Sequence, residues 1–158
     1  MAAKQQQYQL TQEGVDKLRD ELKELKEVKR AENLEALKEA RAQGDLSENA
    51  DYDAARNEQA RIEARIQEIE NIIKYAKIIK TTQDDIVSLG KTVQLKFKNQ
   101  NKIHRFHIIS SIEADPKANK ISIDSPVGKA IKNHQKGDVV HVKSETGQEF
   151  DVEIIEIE

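Results

Sequence analysis

Two carboxylates near the first third of the chain, Asp45 and Glu48, have the type and spacing of a pair that can bind a metal ion. They lie in an acidic segment, residues 44–53, which interrupts two long charged helical patterns. If the chain turns helically after Gly44, side chains three residues apart project from the same side. Mg²⁺ prefers carboxylate and water oxygens, but two carboxylates alone make a weak site. The ordinary alternative is that both acids cap a helix or charge its first turn.

Four more polar or aromatic residues surround this pair. Arg41 and Arg56 lie on either side of the segment, and a guanidinium suits phosphate oxygens. We expect both to contact a phosphate-bearing partner, the alternative being ion pairs with tip carboxylates or helix neighbours. Asn49 and Tyr52 are expected to brace the tip by hydrogen bonding and packing.

The flanking hydrophobic residues recur at steps of three and four, which predicts two long helices. The predicted seam of the first helix comprises Val15, Leu18, Leu22, Leu25, Val28, Leu34 and Leu37, and that of the second comprises Ala55, Ile62, Ile66, Ile69, Ile73 and Ala76. Because few residues connect them, the helices must be antiparallel. Residues 1–80 are therefore predicted to form a coiled-coil arm with its acidic tip at residues 44–53. The high charge predicts that this tip projects from any globular core.

From about residue 84 the hydrophobic period changes to two, which predicts five short antiparallel strands. Ser125 as an N-cap, with Pro126 at the first helical position, predicts a short helix between the third and fourth strands. Residues 81–158 are therefore predicted to form an α+β domain. Its three phenylalanines are expected in the core, so that no aromatic-lined pocket is expected.

Composition excludes several classes of protein. The net charge of −3 argues against a protein that holds duplex nucleic acid by its overall field. The chain has no cysteine, and no apolar run approaches the length that spans a bilayer. The four histidines lack the spacing of zinc ligands. We expect a cytoplasmic protein with no membrane partner.

Five segments together resemble the GreA/GreB family of bacterial transcript cleavage factors, in order and over almost the whole chain. They are Gly-Asp-Leu-Ser-Glu-Asn-Ala-Asp-Tyr from Gly44, Leu-Thr-Gln-Glu-Gly from Leu10, Ala40-Arg41, Ser-Pro-Val-Gly-Lys from Ser125 and Lys-Gly-Asp-Val-Val from Lys136. One short motif could arise by chance, but the tip and the domain motifs together could not.

The resemblance implies a domain similar to the FKBP fold that docks on RNA polymerase, and an arm that enters the secondary channel of the polymerase. Asp45 and Glu48 would help to hold the second Mg²⁺ and the attacking water while the polymerase hydrolyses its own backtracked transcript. The chain would need no cofactor of its own beyond Mg²⁺ in the polymerase active centre, and would not itself be an enzyme. Arg41 and Arg56 would contact the 3′ end of the nascent RNA.

The resemblance also implies that Asp124, Ser125 and Pro126 dock at the rim of the channel, and we expect a monomer. Two rival functions remain. One is a regulator that occupies the same channel without stimulating cleavage, against which the intact Asp45 and Glu48 argue. The other is a coiled-coil adaptor unrelated to polymerase.

Overall fold

The chain divides into two compact units, each with its own buried residues. The computed structural model describes residues 7–45 and 49–158. The first unit contains the described residues up to Tyr8 together with Glu13–Ala76, and the second contains Gln9–Gln12 and Lys77–Glu158. The predicted class, a helical hairpin followed by an α+β domain with one short helix, is confirmed.

The first unit is a helical hairpin. Its first arm consists of α1 (Gln12–Glu24), a π-helical segment (Leu25–Lys29) and α2 (Arg30–Ala42), and its second arm is α3 (Ala50–Lys74). The side chain of Asn33 bonds to the carbonyl of Ala55, and that of Asn49 to the carbonyl of Ala40, so the two arms run antiparallel. Within the described parts of the chain, no helix is both long and apolar enough to cross a membrane.

The predicted seam of the first arm is wrong at two positions. Val28 and Leu34 were expected to face the second arm, but they are 44% and 52% exposed. Val28 lies inside the π-helical segment, and Leu34 is nine residues beyond Leu25, about 2.5 turns of a regular α-helix, which is the spacing of opposite sides. The buried residues beyond the π-helical segment are Asn33, Leu37 and Ala40.

The second arm departs from its predicted seam only at the C-terminal end. Its buried residues are Ala55, Ile62, Ile66, Ile69 and Ile72. Ile72 takes the place predicted for Ile73, which is half-buried. Ala76 was also placed in the helical seam, but α3 has ended by then, and Ala76 begins a strand.

Two short strands that were not predicted pair where the chain enters and leaves the hairpin. They are β1 (Tyr8–Leu10) and β2 (Ala76–Ile78). The amide of Tyr8 donates to the carbonyl of Tyr75 at 3.1 Å, and the amide of Ile79 donates to the carbonyl of Leu10 at 2.9 Å. With only three residues each, neither strand carries enough alternation to be recognised in the sequence.

The second unit contains a five-stranded sheet with the order β5-β4-β3-β7-β6. The strands are β3 (Thr92–Phe97), β4 (Lys102–Ile109), β5 (Lys120–Ser122), β6 (Val139–Lys143) and β7 (Glu149–Ile157). The prediction that all are antiparallel is wrong, because β5 runs parallel to β4. Residues 110–119, which include a 3₁₀ turn, Pro116–Ala118, return the chain only as far as His107, because β5 pairs with the last three residues of β4.

One face of the sheet is partly covered by α4 (Pro126–Ile131). Ile131 is fully buried, and Val127 and Ala130 pack against the core formed by the strands. Gly128 permits this close packing, since a Cβ built on it would lie 2.2 Å from the carbonyl oxygen of Ser122. The core of the unit is therefore the space between α4 and the sheet.

A buried lysine fixes the segment that precedes β3. Lys91 is 2% exposed, and its ammonium donates to the carbonyls of Asp84 and Ile86 and to the carboxylate of Asp84. Three acceptors satisfy the three protons of a buried ammonium, which would otherwise be strongly destabilising. The hydrogen bond from Lys91 also lowers the pKa of the Asp84 carboxyl.

We expect Gly128→Ala to destabilise the sheet unit by about 2 kcal/mol, because the added methyl group overpacks a backbone contact. Amide exchange at Val152 in β7 should accelerate. Lys129→Ala, which changes an exposed neighbour on the same helix, should leave that exchange rate unchanged. Equal exchange in the Gly128→Ala variant and the parent would contradict the close packing described above.

Candidate functional site at the hairpin tip

The tip begins with an abrupt exit of the chain from α2. Gln43 is the C-cap, and Gly44 follows with φ +107°. Only glycine adopts that conformation readily, which is why it is favoured just beyond helix ends. Asp45, which is exposed, comes next. The other predicted catalytic carboxylate, Glu48, lies outside the described residues.

Asn49 connects the two arms at the tip. Its Oδ1 accepts from the amide of Tyr52 at 3.1 Å, so Asn49 is the N-cap of α3. Its Nδ2 donates to the carbonyl of Ala40 in the last turn of α2 at 2.7 Å. One side chain therefore bonds to a backbone group of each helix. Because Asn49 holds the capping position, Asp45 is not the N-cap of α3.

Tyr52 brings the two predicted phosphate-binding arginines together. The Cζ atom of Arg41 is 5.9 Å and that of Arg56 is 6.0 Å from the centroid of its ring. A guanidinium over an aromatic ring at this distance is attracted by the ring quadrupole. The ion pairs of Arg30, Arg61 and Arg65, by contrast, are with glutamates of the helical arms.

The flank of the hairpin next to the tip is acidic. A groove of about 500 Å³ runs between α2 and α3, and its carboxylates are Glu32, Glu39, Asp51 and Glu58. Alanines on both helices leave this space open. Attraction of a phosphate to this end of the hairpin therefore depends on individual guanidiniums, since the surrounding field opposes it.

Ion pairs join the two arms behind the tip. Arg30 binds Glu63 through two hydrogen bonds of 2.8 and 2.9 Å, and Arg65 binds Glu21 through two of 2.7 and 2.9 Å. The hydrogen bonds raise the pKa of Arg30, lower that of Glu63 and raise that of Arg65. Because these pairs are largely exposed, they contribute more to the alignment of the arms than to stability.

The predicted docking residues form a helix cap in the second unit. The Oγ of Ser125 accepts from the amide of Gly128 at 3.1 Å and donates to the carbonyl of Ser122 at 2.6 Å. Pro126 occupies the first helical position, as predicted. Asp124 is exposed, and its amide donates to the Oγ of Ser122 at 3.0 Å. The segment thus has a fixed backbone and an outward carboxylate.

An apolar cavity of about 290 Å³ lies beside this cap. It is lined by Phe106, Ile121, Ser125, Pro126, Val127, Val142, Ser144 and Phe150. The three phenylalanines pack against the core, as expected, but Phe106 and Phe150 are half-buried and line this cavity, so the expectation of no aromatic-lined pocket is wrong. The short helix α4 covers part of the sheet and leaves these rings at the edge of the covered area.

The described residues do not by themselves form a metal centre. Among residues 7–45 and 49–158, no three side chains of the His, Cys, Asp and Glu types are placed to hold one ion. Asp45 can supply a carboxylate ligand from the tip, and further ligands would have to come from elsewhere.

Both units match known family models. Residues 8–78 match the N-terminal model for transcription elongation factors, and residues 82–158 match the C-terminal model for the GreA/GreB transcription elongation factors. The chain belongs to the GreA/GreB family.

Curated relatives of this family extend over nearly the whole chain. "Transcription elongation factor GreA" of Acholeplasma laidlawii is 63% identical over 93% of this chain and 94% of its own length. The protein of that name from Bacillus cytotoxicus is 45% identical over 98% of this chain and 99% of its own length. A crystal structure of the GreA factor homolog 1 protein of Thermus thermophilus is 29% identical, covers 97% of this chain and 99% of that chain, and superposes with a TM-score of 0.44.

The GreA/GreB motifs pointed to most of the residues described above, but two arrangements were missed. The first is the contact of both arginines with one ring. The contact of Tyr52 with Arg56 was predictable, because residues four apart on one helix are neighbours. Arg41 lies on the other helix, so no local pattern could reveal its contact. The second is the apolar cavity, which depends on how far α4 extends over the sheet.

We expect Asn49→Ala to destabilise the first turn of α3 by about 1 kcal/mol, because it removes the cap. The loss should appear as faster amide exchange at Tyr52. Asn49→Asp keeps the accepting oxygen but loses the bond to Ala40, and should retain most of the protection at Tyr52. Asp51→Ala serves as the control for an exposed residue of the same turn. Undiminished protection in Asn49→Ala would show that the cap is unimportant.

Proposed function

We propose that this chain binds bacterial RNA polymerase, places its hairpin tip in the secondary channel and stimulates cleavage of backtracked nascent RNA. One observation carries the proposal: in a member of the GreA/GreB family, the end of a long hairpin combines Asp45 with two guanidiniums that lie over one aromatic ring. Opposite charges at one end suit a reaction in which both a metal ion and an RNA backbone must be held.

The carboxylates supply the reactive part of the proposed mechanism. Asp45 and Glu48 would hold a Mg²⁺ ion jointly with the polymerase, and this ion would orient the attacking water. Asp45 lies outside the helix, just after Gly44, so its carboxylate is carried by the extreme end of the hairpin. Because the chain supplies only part of a metal site, hydrolysis would belong to the polymerase and not to the isolated chain.

The arginines supply the RNA contact. Arg41 and Arg56 lie on different helices within 6.0 Å of one ring centroid, so both would be presented to the same part of the transcript. A guanidinium can donate two parallel hydrogen bonds to a phosphate. We place the backtracked 3′ end of the RNA against this pair.

The second unit supplies the docking contact. Asp124 would form polar contacts with the rim of the channel, while Pro126 and the neighbouring apolar cavity would receive an apolar side chain. The capped backbone of this segment would lose little conformational freedom on binding. We propose that the chain acts as a monomer in this complex.

We expect Asp45→Asn to reduce the rate of stimulated cleavage by at least about 100-fold. Removal of one group that stabilises a transition state typically lowers a rate by about this factor. Glu48→Gln should have a similar effect. Both changes preserve shape, so affinity for the polymerase should remain close to that of the parent. The measurement is the rate at which a stalled, backtracked elongation complex shortens its RNA at saturating factor.

This assay also separates the rival functions. A regulator that only blocks the channel would inhibit cleavage, and an unrelated adaptor would leave the rate unchanged. Gln59→Ala, an exposed change midway along α3, is the matched control. Parent-like cleavage by either carboxylate variant would exclude the proposed metal ligand at that position.

We expect Asp124→Ala and Pro126→Ala each to weaken binding to RNA polymerase by about 10-fold, which corresponds to the loss of one good interface contact. Competition against labelled parent factor measures this, with amide exchange in β7 verifying the fold. Lys117→Ala alters an exposed residue of the 3₁₀ turn and should compete like the parent. If both docking variants also compete fully, the docking surface lies elsewhere.

A further inference from the structure

The arrangement of Arg41, Tyr52 and Arg56 requires a physical cause, because it brings two like charges together. Each guanidinium lies over the same ring, at 5.9 and 6.0 Å from its centroid. The two cations come from different helices and repel each other. Attraction by the electron-rich face of the ring offsets that repulsion, and it acts on both cations at once.

The backbone that carries the ring is connected to both helices of the tip. The amide of Tyr52 donates to Asn49, and Asn49 donates to the carbonyl of Ala40, the residue before Arg41. The side chain of Asn49 therefore ties the backbone that carries the ring to the backbone that carries one of the cations. Tyr52 is half-buried, so its ring has a defined place against this framework.

We propose that Tyr52 is a positioning residue whose ring holds the guanidiniums of Arg41 and Arg56 as a pair for the RNA backbone. This inference rests on the proposed function. An arginine side chain has many rotamers, and fixing them on binding costs free energy. A ring that restrains both side chains in the free protein removes part of that cost. Tyr52 would thus act on RNA only through the arginines.

The test compares the affinity of the factor for backtracked elongation complexes with its affinity for complexes that are not backtracked. EDTA keeps the RNA intact during the measurement. We expect Tyr52→Leu to bind backtracked complexes about 10-fold more weakly, from the loss of two cation–π contacts, and to bind the other complexes like the parent. Tyr52→Phe keeps the ring and should behave like the parent in both.

A second tyrosine on the same arm provides the matched control. Tyr75 lies at the opposite end of α3, and the ammonium of Lys74 is 5.3 Å from its ring centroid. Tyr75→Leu therefore removes a cation–π contact from the same hairpin without changing the tip. Its relative affinity for the two kinds of complex should equal that of the parent.

A double-mutant comparison separates positioning from mere support of the fold. If Tyr52 acts through the arginines, adding Tyr52→Leu to the Arg41→Ala, Arg56→Ala variant should cause no further loss of affinity for backtracked complexes. The salt dependence gives a second criterion. Removal of an arginine that contacts phosphate should lower the slope of log affinity against log salt by about 0.7 for single-stranded RNA, whereas Tyr52→Leu, which keeps both guanidiniums, should leave the slope unchanged.

The outcomes distinguish this inference from the function on which it rests. A parent protein that fails to stimulate cleavage overturns the proposed function. If the parent stimulates cleavage but Tyr52→Leu keeps the parent's affinity for backtracked complexes, the positioning role alone is overturned. The same holds if Tyr52→Phe is as weak as Tyr52→Leu, or if the loss caused by Tyr52→Leu adds fully to that of the arginine variants.

Discussion

The geometry of the tip depends on the two hydrogen bonds made by the side chain of Asn49. One caps α3 and the other binds a carbonyl in the last turn of α2, so a single amide fixes the end of each helix relative to the other. Few large apolar side chains are available here, because the residues that line this end of the seam are mostly alanines. Directional hydrogen bonds therefore replace hydrophobic packing as the source of order at the site.

A second asparagine extends the same principle along the arm. Asn33 is 7% exposed, and its Nδ2 donates to the carbonyl of Ala55 at 2.9 Å. A buried amide without that partner would be destabilising, so sliding of one helix past the other is penalised. Asn33 is buried at this point of α2, whereas its neighbour Leu34 is exposed. A hydrogen bond well behind the tip thereby helps to set the alignment of the arms that carry it.

The sequence predicted those features that depend on neighbours along the chain. The hairpin, the cap formed by Ser125 and Pro126, and the strands β3 and β7 follow from periodicity and capping preferences within short windows. The errors arose where distant residues decide. The parallel pairing of β5 is a property of the return path, and the partner of Asn49 is a carbonyl on another helix. Asp45 and Glu48 were predicted to be a catalytic pair only from the family motif, because their spacing alone is equally compatible with a helix cap.

The two functional segments are fixed by the same device, although they lie in different units. Asn49 and Ser125 each accept from an amide in the first turn of a helix, and each donates to the carbonyl of a preceding segment. A side chain that both accepts and donates a hydrogen bond restrains the neighbouring backbone, which does not have to be buried. A residue next to the cap, such as Asp124, can then remain exposed on a defined backbone. Exposure is needed to reach a partner, and a fixed backbone reduces the entropy lost on contact. Capping by a side chain that both accepts and donates meets the two requirements together, whereas apolar burial would meet only the second.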